Sequence, residues 1–178
     1  MSVCIISATN RSGSVSLQVA EHYQRLLVAA GRSTEIVSLA DLPSGMDSSD
    51  LYGNFTEKFS SFQAKVDEYP DFVFVVPEYN GSIPGILKLF IDACRYPDSF
   101  RGKRAALVGI GAGMGGNVVG LQHLSDILEF LGAEVHPERV HANTIRGKIT
   151  SEGEITDARF RAALDAQVQS FLPVAVSR

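Results

Sequence analysis

Short apolar runs and stretches of helical periodicity alternate from one end of this chain to the other, and that alternation restricts the fold more than any other feature. Residues 3–7, 34–39, 72–76, 105–110 and 133–140 read as strands. Helical patterns cover 15–30, 56–68, 86–95 and 117–131, and a last one carries Phe160, Leu164, Val168 and Phe171. Strands separated by helices in this way form a parallel sheet with helices on its faces. Gly31 and Gly132 supply helix stops, and Pro137 inside the fifth run predicts an edge strand or a bulge. The expected architecture is a three-layer α/β sandwich whose five-stranded parallel sheet has the order 2-1-3-4-5.

With 178 residues the chain is expected to form one domain over 1–178, with no internal repeat or linker. Its net charge of −4, with no basic block, points away from nucleic acid. No apolar run approaches the roughly 18–20 residues of a membrane span, and Met1–Ser7 reads as a first strand instead of a secretory signal. Cys4 and Cys94 form no CxxC pair and are expected to be reduced thiols of a cytoplasmic protein. The polar connection 41–55 is the one expected lid or interface segment.

Three loops should leave the carboxyl ends of strands, where open α/β sheets bind ligands. After strand one, Ser7-Ala8-Thr9-Asn10-Arg11-Ser12-Gly13-Ser14-Val15-Ser16 offers hydroxyls, a guanidinium and the free N–H groups of a helix start, a donor set suited to a phosphate dianion. It is not a P-loop, since GxxxxGK[ST] is absent. After strand three, Pro77-Glu78-Tyr79-Asn80-Gly81-Ser82-Ile83-Pro84-Gly85 is a polar turn leading into a helix, suited to a planar or anionic ligand. After strand four, Gly111-Ala112-Gly113-Met114-Gly115-Gly116 matches GxGxxG formally, but it follows the fourth strand instead of the first. It reads as backbone packed closely against a flat ligand. No GxSxG elbow and no HxxxH or HExxH pair is present, so neither a hydrolytic nor a metal site is expected.

These residues resemble the NAD(P)H-dependent FMN reductases, a flavodoxin-like group that includes quinone, azo-dye and chromate reductases. The resemblance rests on Pro77-Glu78-Tyr79-Asn80-Gly81-Ser82-Ile83-Pro84-Gly85-Ile86-Leu87-Lys88, supported by Gly102-Lys103, Gly113-Met114-Gly115-Gly116 and residues 128–135. It implies that Thr9, Arg11, Ser14, Val15 and Ser16 hold the FMN phosphate. Pro77, Glu78, Tyr79 and Asn80 would line the isoalloxazine, and Gly111, Gly113, Met114, Gly115 and Gly116 would close its other side. It further implies hydride transfer from NAD(P)H through FMN to a flavin, quinone or similar small acceptor, without a catalytic side chain, in a homodimer or homotetramer. A flavodoxin-like electron carrier and a flavin-free interaction scaffold are the alternatives. The first loop departs from the family's Gly-Ser-x-Arg-x-x-Ser-x-Asn: Ala8 stands for Gly, where its Cβ is expected to crowd the turn, Thr9 for Ser and Ser16 for Asn. Arg95, Arg101 and Arg104 are the candidates for recognising a nucleotide 2′-phosphate.

Overall fold

The computed structural model describes residues 2–43, 57 and 59–172. Strands β1 (Ser2–Ser7), β2 (Ser33–Ser38), β3 (Asp71–Pro77), β4 (Arg104–Ile110), β5 (Glu134–Val135) and β6 (Val140–Ala142) alternate with helices α1 (Val15–Ala29), α2 (Ser60–Glu68), α3 (Gly85–Ala93), α4 (Val118–Phe130) and α5 (Ala158–Phe171). All pairings are parallel, in the order β2-β1-β3-β4-β5, with β6 also on β4. The expected fifth strand is therefore two pieces of one edge. Pro137 lacks the N–H a ladder needs, and pairing stops at Val135 and resumes at Val140 against Val108. The expected lid lies outside the described residues beyond position 43, as does the expected start of the second helix at Thr56.

Successive strand residues point to opposite faces, and both faces are covered. Val3, Ile5, Val73, Val75, Ala106 and Val108 pack with Val19, Tyr23 and Leu27 of α1 and with Phe160, Leu164 and Phe171 of α5. Cys4, Ile6, Phe72, Phe74 and Leu107 pack on the other side with Val66 of α2, Leu87 and Phe90 of α3, and Leu121, Leu124 and Leu128 of α4. Burial on both faces is why 72–76 is an unbroken apolar run. The edge strand β2 buries Val37 alone.

Gly31 and Gly132 both adopt positive φ and close Schellman motifs: Arg32 N–H reaches Leu27 O, and Ala133 N–H reaches Leu128 O. One buried amide ties the α1/α5 layer to the sheet. Gln167 accepts from the Tyr23 hydroxyl and donates to the carbonyls of Leu107 and Glu138, so its polar atoms are paired as burial requires. Among the described residues no helix is long and apolar enough to cross a membrane.

Candidate functional site

At the carboxyl edge of the sheet β1 runs straight into the amino end of α1. Ala8 still pairs with the sheet, its N–H donating to Val75 O at 3.0 Å, and its methyl is buried in the core. The expected crowding is absent: Ala8 is not among the positive-φ residues, and the chain turns instead at Gly13, with φ +62°. Ser14 is the N-cap of α1, its hydroxyl accepting from Leu17 N–H at 3.2 Å. Among the described residues the amides of Ser12, Gly13, Val15 and Ser16 make no hydrogen bond, and neither does the Ser16 hydroxyl. Unpaired N–H groups at a helix start carry the positive end of its dipole.

The loop after β3 closes tightly. Tyr79 and Ser82 exchange both backbone hydrogen bonds at 3.0 Å, with Asn80 (φ +51°) and Gly81 (φ +74°) at the apex. An Asn-Gly pair is what two successive left-handed residues demand. The Tyr79 hydroxyl lies 2.7 Å from Thr9 Oγ1 and so joins this loop to the first. Glu78 reaches the other way, its Oε2 accepting the Asn117 N–H at 3.1 Å ahead of α4. Asn117, left-handed at φ +62°, returns a bond from Nδ2 to Val76 O at 3.0 Å.

The glycine run after β4 is shaped by protein contacts. A Cβ on Gly109 would lie 2.5 Å from Gly116 O, and one on Gly111 would lie 3.1 Å from Glu78 Oε2 and 3.2 Å from Gly116 Cα. Gly116, at φ +56°, backs onto 141–143. Gly113 and Gly115 have no such close neighbours. The chain after β6 buttresses this run: Thr144 N–H donates to Gly113 O at 2.9 Å and Ile145 N–H to Gly111 O at 3.1 Å.

These loops enclose a recess of about 250 Å³. Of the residues singled out in the sequence, Thr9, Arg11, Ser14, Val15, Ser16, Pro77, Glu78, Tyr79 and Gly111 line it together. Asn80 sits at its turn apex, and Gly113, Met114, Gly115 and Gly116 lie beyond the lining, with Met114 81% exposed. Ser12, Gly13, Ile110, Ala112, Ile145 and Arg146 complete the wall, and of these Ile145 and Arg146 were not anticipated. Ser12 and Gly13 fall inside the loop already recognised, whereas Ile145 and Arg146 depend on the register of β6.

The proposed 2′-phosphate cations lie elsewhere. Arg104 begins β4 at the amino edge, in a two-pronged pair with Asp71 (2.8 and 2.7 Å) and 5.1 Å over the Phe171 ring. Arg95 pairs with Asp67 at 3.2 Å, and Arg101 packs on Gly132. Lys103 lies beside them, donating to the carbonyls of Val66 and Asp67 at the end of α2. Neither thiol is available as a nucleophile: burial pushes Cys4 up to about 12 and raises Cys94 as well.

A larger groove of about 750 Å³ runs between α3 and α4, lined by Ile91, Tyr96, Phe100, Ile127, Phe130 and Leu131 among others. Phe130 and Tyr96 are 77% and 66% exposed. The groove is mainly apolar and lies away from the unpaired amides at α1, so size does not make it the phosphate site.

The sequence profile of the NADPH-dependent FMN reductases matches residues 1–146. The chain belongs to that family. An NAD(P)H-dependent FMN reductase of Pseudomonas aeruginosa is 31% identical over 171 residues, covering 93% of this chain and 90% of that protein. A quinone reductase of Escherichia coli is 30% identical, covering 96% and 93%. Among solved structures, the flavoenzyme FerB, an NAD(P)H:(acceptor) oxidoreductase from Paracoccus denitrificans, superposes with a TM-score of 0.75 at 24% identity, covering 96% of this chain and 94% of FerB. Membership of the NADPH-dependent FMN reductase family makes the chain a flavodoxin-like oxidoreductase that uses FMN and a nicotinamide nucleotide.

The donor set fits that cofactor. A phosphate monoester calls for several N–H and O–H donors and positive charge. The recess supplies unpaired amides, the Ser16 hydroxyl and the Arg11 side chain. Glu78, the one carboxylate lining it, is already engaged with Asn117.

Proposed function

We propose that the recess binds FMN with its phosphate on residues 9–16 and its ring between the loops after β3 and β4, and that the protein reduces a quinone or similar small acceptor with NAD(P)H. The observation that carries this reading is the run of unpaired amides and the free Ser16 hydroxyl beside Arg11 at the start of α1. Bound FMN supplies the hydride chemistry, taking two electrons from a nicotinamide and giving them to the second substrate.

The chain's own part is binding and orientation. Arg11, Ser16 and the α1 amides hold the anionic end, while Pro77, Glu78, Tyr79 and Gly111 form the walls. Ser14 supports the cradle as the cap of α1. The amide donors are held in place by the helix start that Ser14 caps, so their electrostatic effect costs little reorganisation. No side-chain acid or base is required.

The exposed apolar groove between α3 and α4 supports a homo-oligomer, dimer or tetramer, in which a second copy of the chain covers Tyr96 and Phe130. A single domain and a cytoplasmic location complete the reading. The test is titration of FMN-free protein with FMN, followed by NADH and NADPH oxidation with a quinone. The expected result is quenching of flavin fluorescence at micromolar protein and acceptor-dependent turnover. Protein that quenches nothing and oxidises neither nucleotide refutes the proposal.

A further inference from the structure

Arg146 lines the recess together with Arg11, and among the described residues its guanidinium makes no hydrogen bond or ion pair. Its neighbour Lys148 is paired with Asp157 at 3.2 Å. The backbone beneath it is tightly fixed. Thr144 is held left-handed at φ +45°, a costly conformation for a β-branched residue. The bonds from Thr144 and Ile145 to the glycine run hold that turn, and Ile145 is buried as its anchor. Gly147 and Lys148 then close a single 3-10 turn onto Thr144 and Ile145.

Where this turn sits follows from what comes after it. The chain runs alongside the first turns of α1: Gln18 Nε2 donates to Ser151 O at 3.2 Å, and a Cβ on Gly153 would touch the Gln18 side chain at 3.3 Å. Ile145 and Val15 share one apolar cluster. Arg146 is thus carried at the α1 end of the recess, where the unpaired amides are, and not near the turn apex at Asn80.

Charge decides what such a residue can hold. Glu78, the one carboxylate of the lining, is engaged with Asn117 N–H, so Arg11 and Arg146 have no internal counter-ion in the recess. Two guanidiniums and a helix start match a phosphate monoester, which carries about −1.5 to −2 near pH 7. Arg11 alone leaves about half of that charge uncompensated. Arginine's planar fork also suits phosphate geometry better than a point charge does.

We infer that Arg146 is the second guanidinium of the phosphate site, acting with Arg11 on the phosphomonoester of FMN. This rests on the FMN reading above. The experiment compares FMN with riboflavin, which lacks the phosphate, as ligands of wild type, Arg146→Gln and Arg146→Lys, and includes the melting temperature of each FMN-free protein. Losing one charge-assisted contact predicts about 10- to 100-fold weaker FMN binding for Arg146→Gln, with riboflavin affinity and the FMN-free melting temperature unchanged. Arg146→Lys should recover part of the loss, and added salt should weaken FMN binding less in Arg146→Gln than in wild type.

Wild type that binds no FMN defeats the FMN reading itself. If wild type binds FMN and Arg146→Gln binds it within twofold, the inference fails while that reading stands. Equal weakening of FMN and riboflavin overturns it as well, since the residue then acts on the recess and not on the phosphate. So does a rise in the KM for NADPH but not NADH with FMN affinity intact, which would assign Arg146 to the nucleotide's 2′-phosphate.

Discussion

Helix propensity and packing make opposite forecasts for Gly120→Ala, and the structure decides between them. Position 120 lies in the first turn of α4, where replacing Gly with Ala is worth about 1 kcal/mol of added stability on propensity alone. The new methyl, however, would stand 2.0 Å from Asn117 Oδ1, 2.8 Å from its Cγ and 2.8 Å from the carbonyl carbon of Ser82. The first two contacts are relieved only if the Asn117 side chain rotates and surrenders its buried bond to Val76 O, at about 1–3 kcal/mol. The third is with backbone, and overpacking of that kind costs about 1–3 kcal/mol more. The net is destabilisation of about 3 kcal/mol, equivalent to roughly 6–12 °C in Tm for a chain of this size.

Asn117→Gly removes the obstructing side chain and suits the left-handed backbone at φ +62°. Gly120→Ala should therefore cost at least about 1 kcal/mol less in the Asn117→Gly background than in wild type. Urea denaturation of the four proteins of this cycle measures the coupling. Equal cost in both backgrounds, or a stabilised Gly120→Ala, refutes the packing argument.

Two further outcomes follow from features away from the recess. Phe130→Lys should convert the proposed oligomer to monomers by light scattering without altering FMN affinity; a wild type already monomeric at micromolar concentration excludes the self-association reading. Glu35 is held below its ordinary value near 4.5, first by its bond to Lys65 and also by the Tyr69 hydroxyl. A depressed carboxyl stabilises above its unfolded pKa, and that contribution is lost as pH falls through the folded one. Glu35→Gln should therefore cost a few tenths of a kcal/mol at pH 7, the pair being partly exposed, and the difference from wild type should fade as pH drops below the ordinary carboxyl range and through the depressed folded value. A difference that stays constant across that window refutes the ionic account.

Much of the architecture was legible because β1, β3 and β4 are buried on both faces, which leaves unbroken apolar runs that no surface element produces. The edge was harder. Residues 133–140 look like one strand until Pro137 removes a donor and splits the pairing into β5 and β6. At the recess, hydroxyls and Arg11 ahead of a helical pattern singled out the first loop, and that stretch, Ser12 and Gly13 included, does line the recess. Arg146 gave no such signal, since its position follows from the pairing of Val140 with Val108 and from a left-handed Thr144. Arg95, Arg101 and Arg104 were misleading for a simple reason. Residues just ahead of a parallel strand arrive at its amino edge, the opposite end of the sheet from the recess.

The hydrogen bonds between Thr9 and Tyr79, from Asn117 N–H to Glu78 and from the Thr144 and Ile145 amides to the glycine run link each loop to the next. The walls of the recess thus form a continuous chain of mutual restraints. Loop ordering then adds little to the entropy cost of capture, and affinity reflects how well the incoming molecule matches a finished mould. Such a site can tolerate replacement of an individual contact, because shape is stored in the bonds between loops and not in the contacts with what they hold.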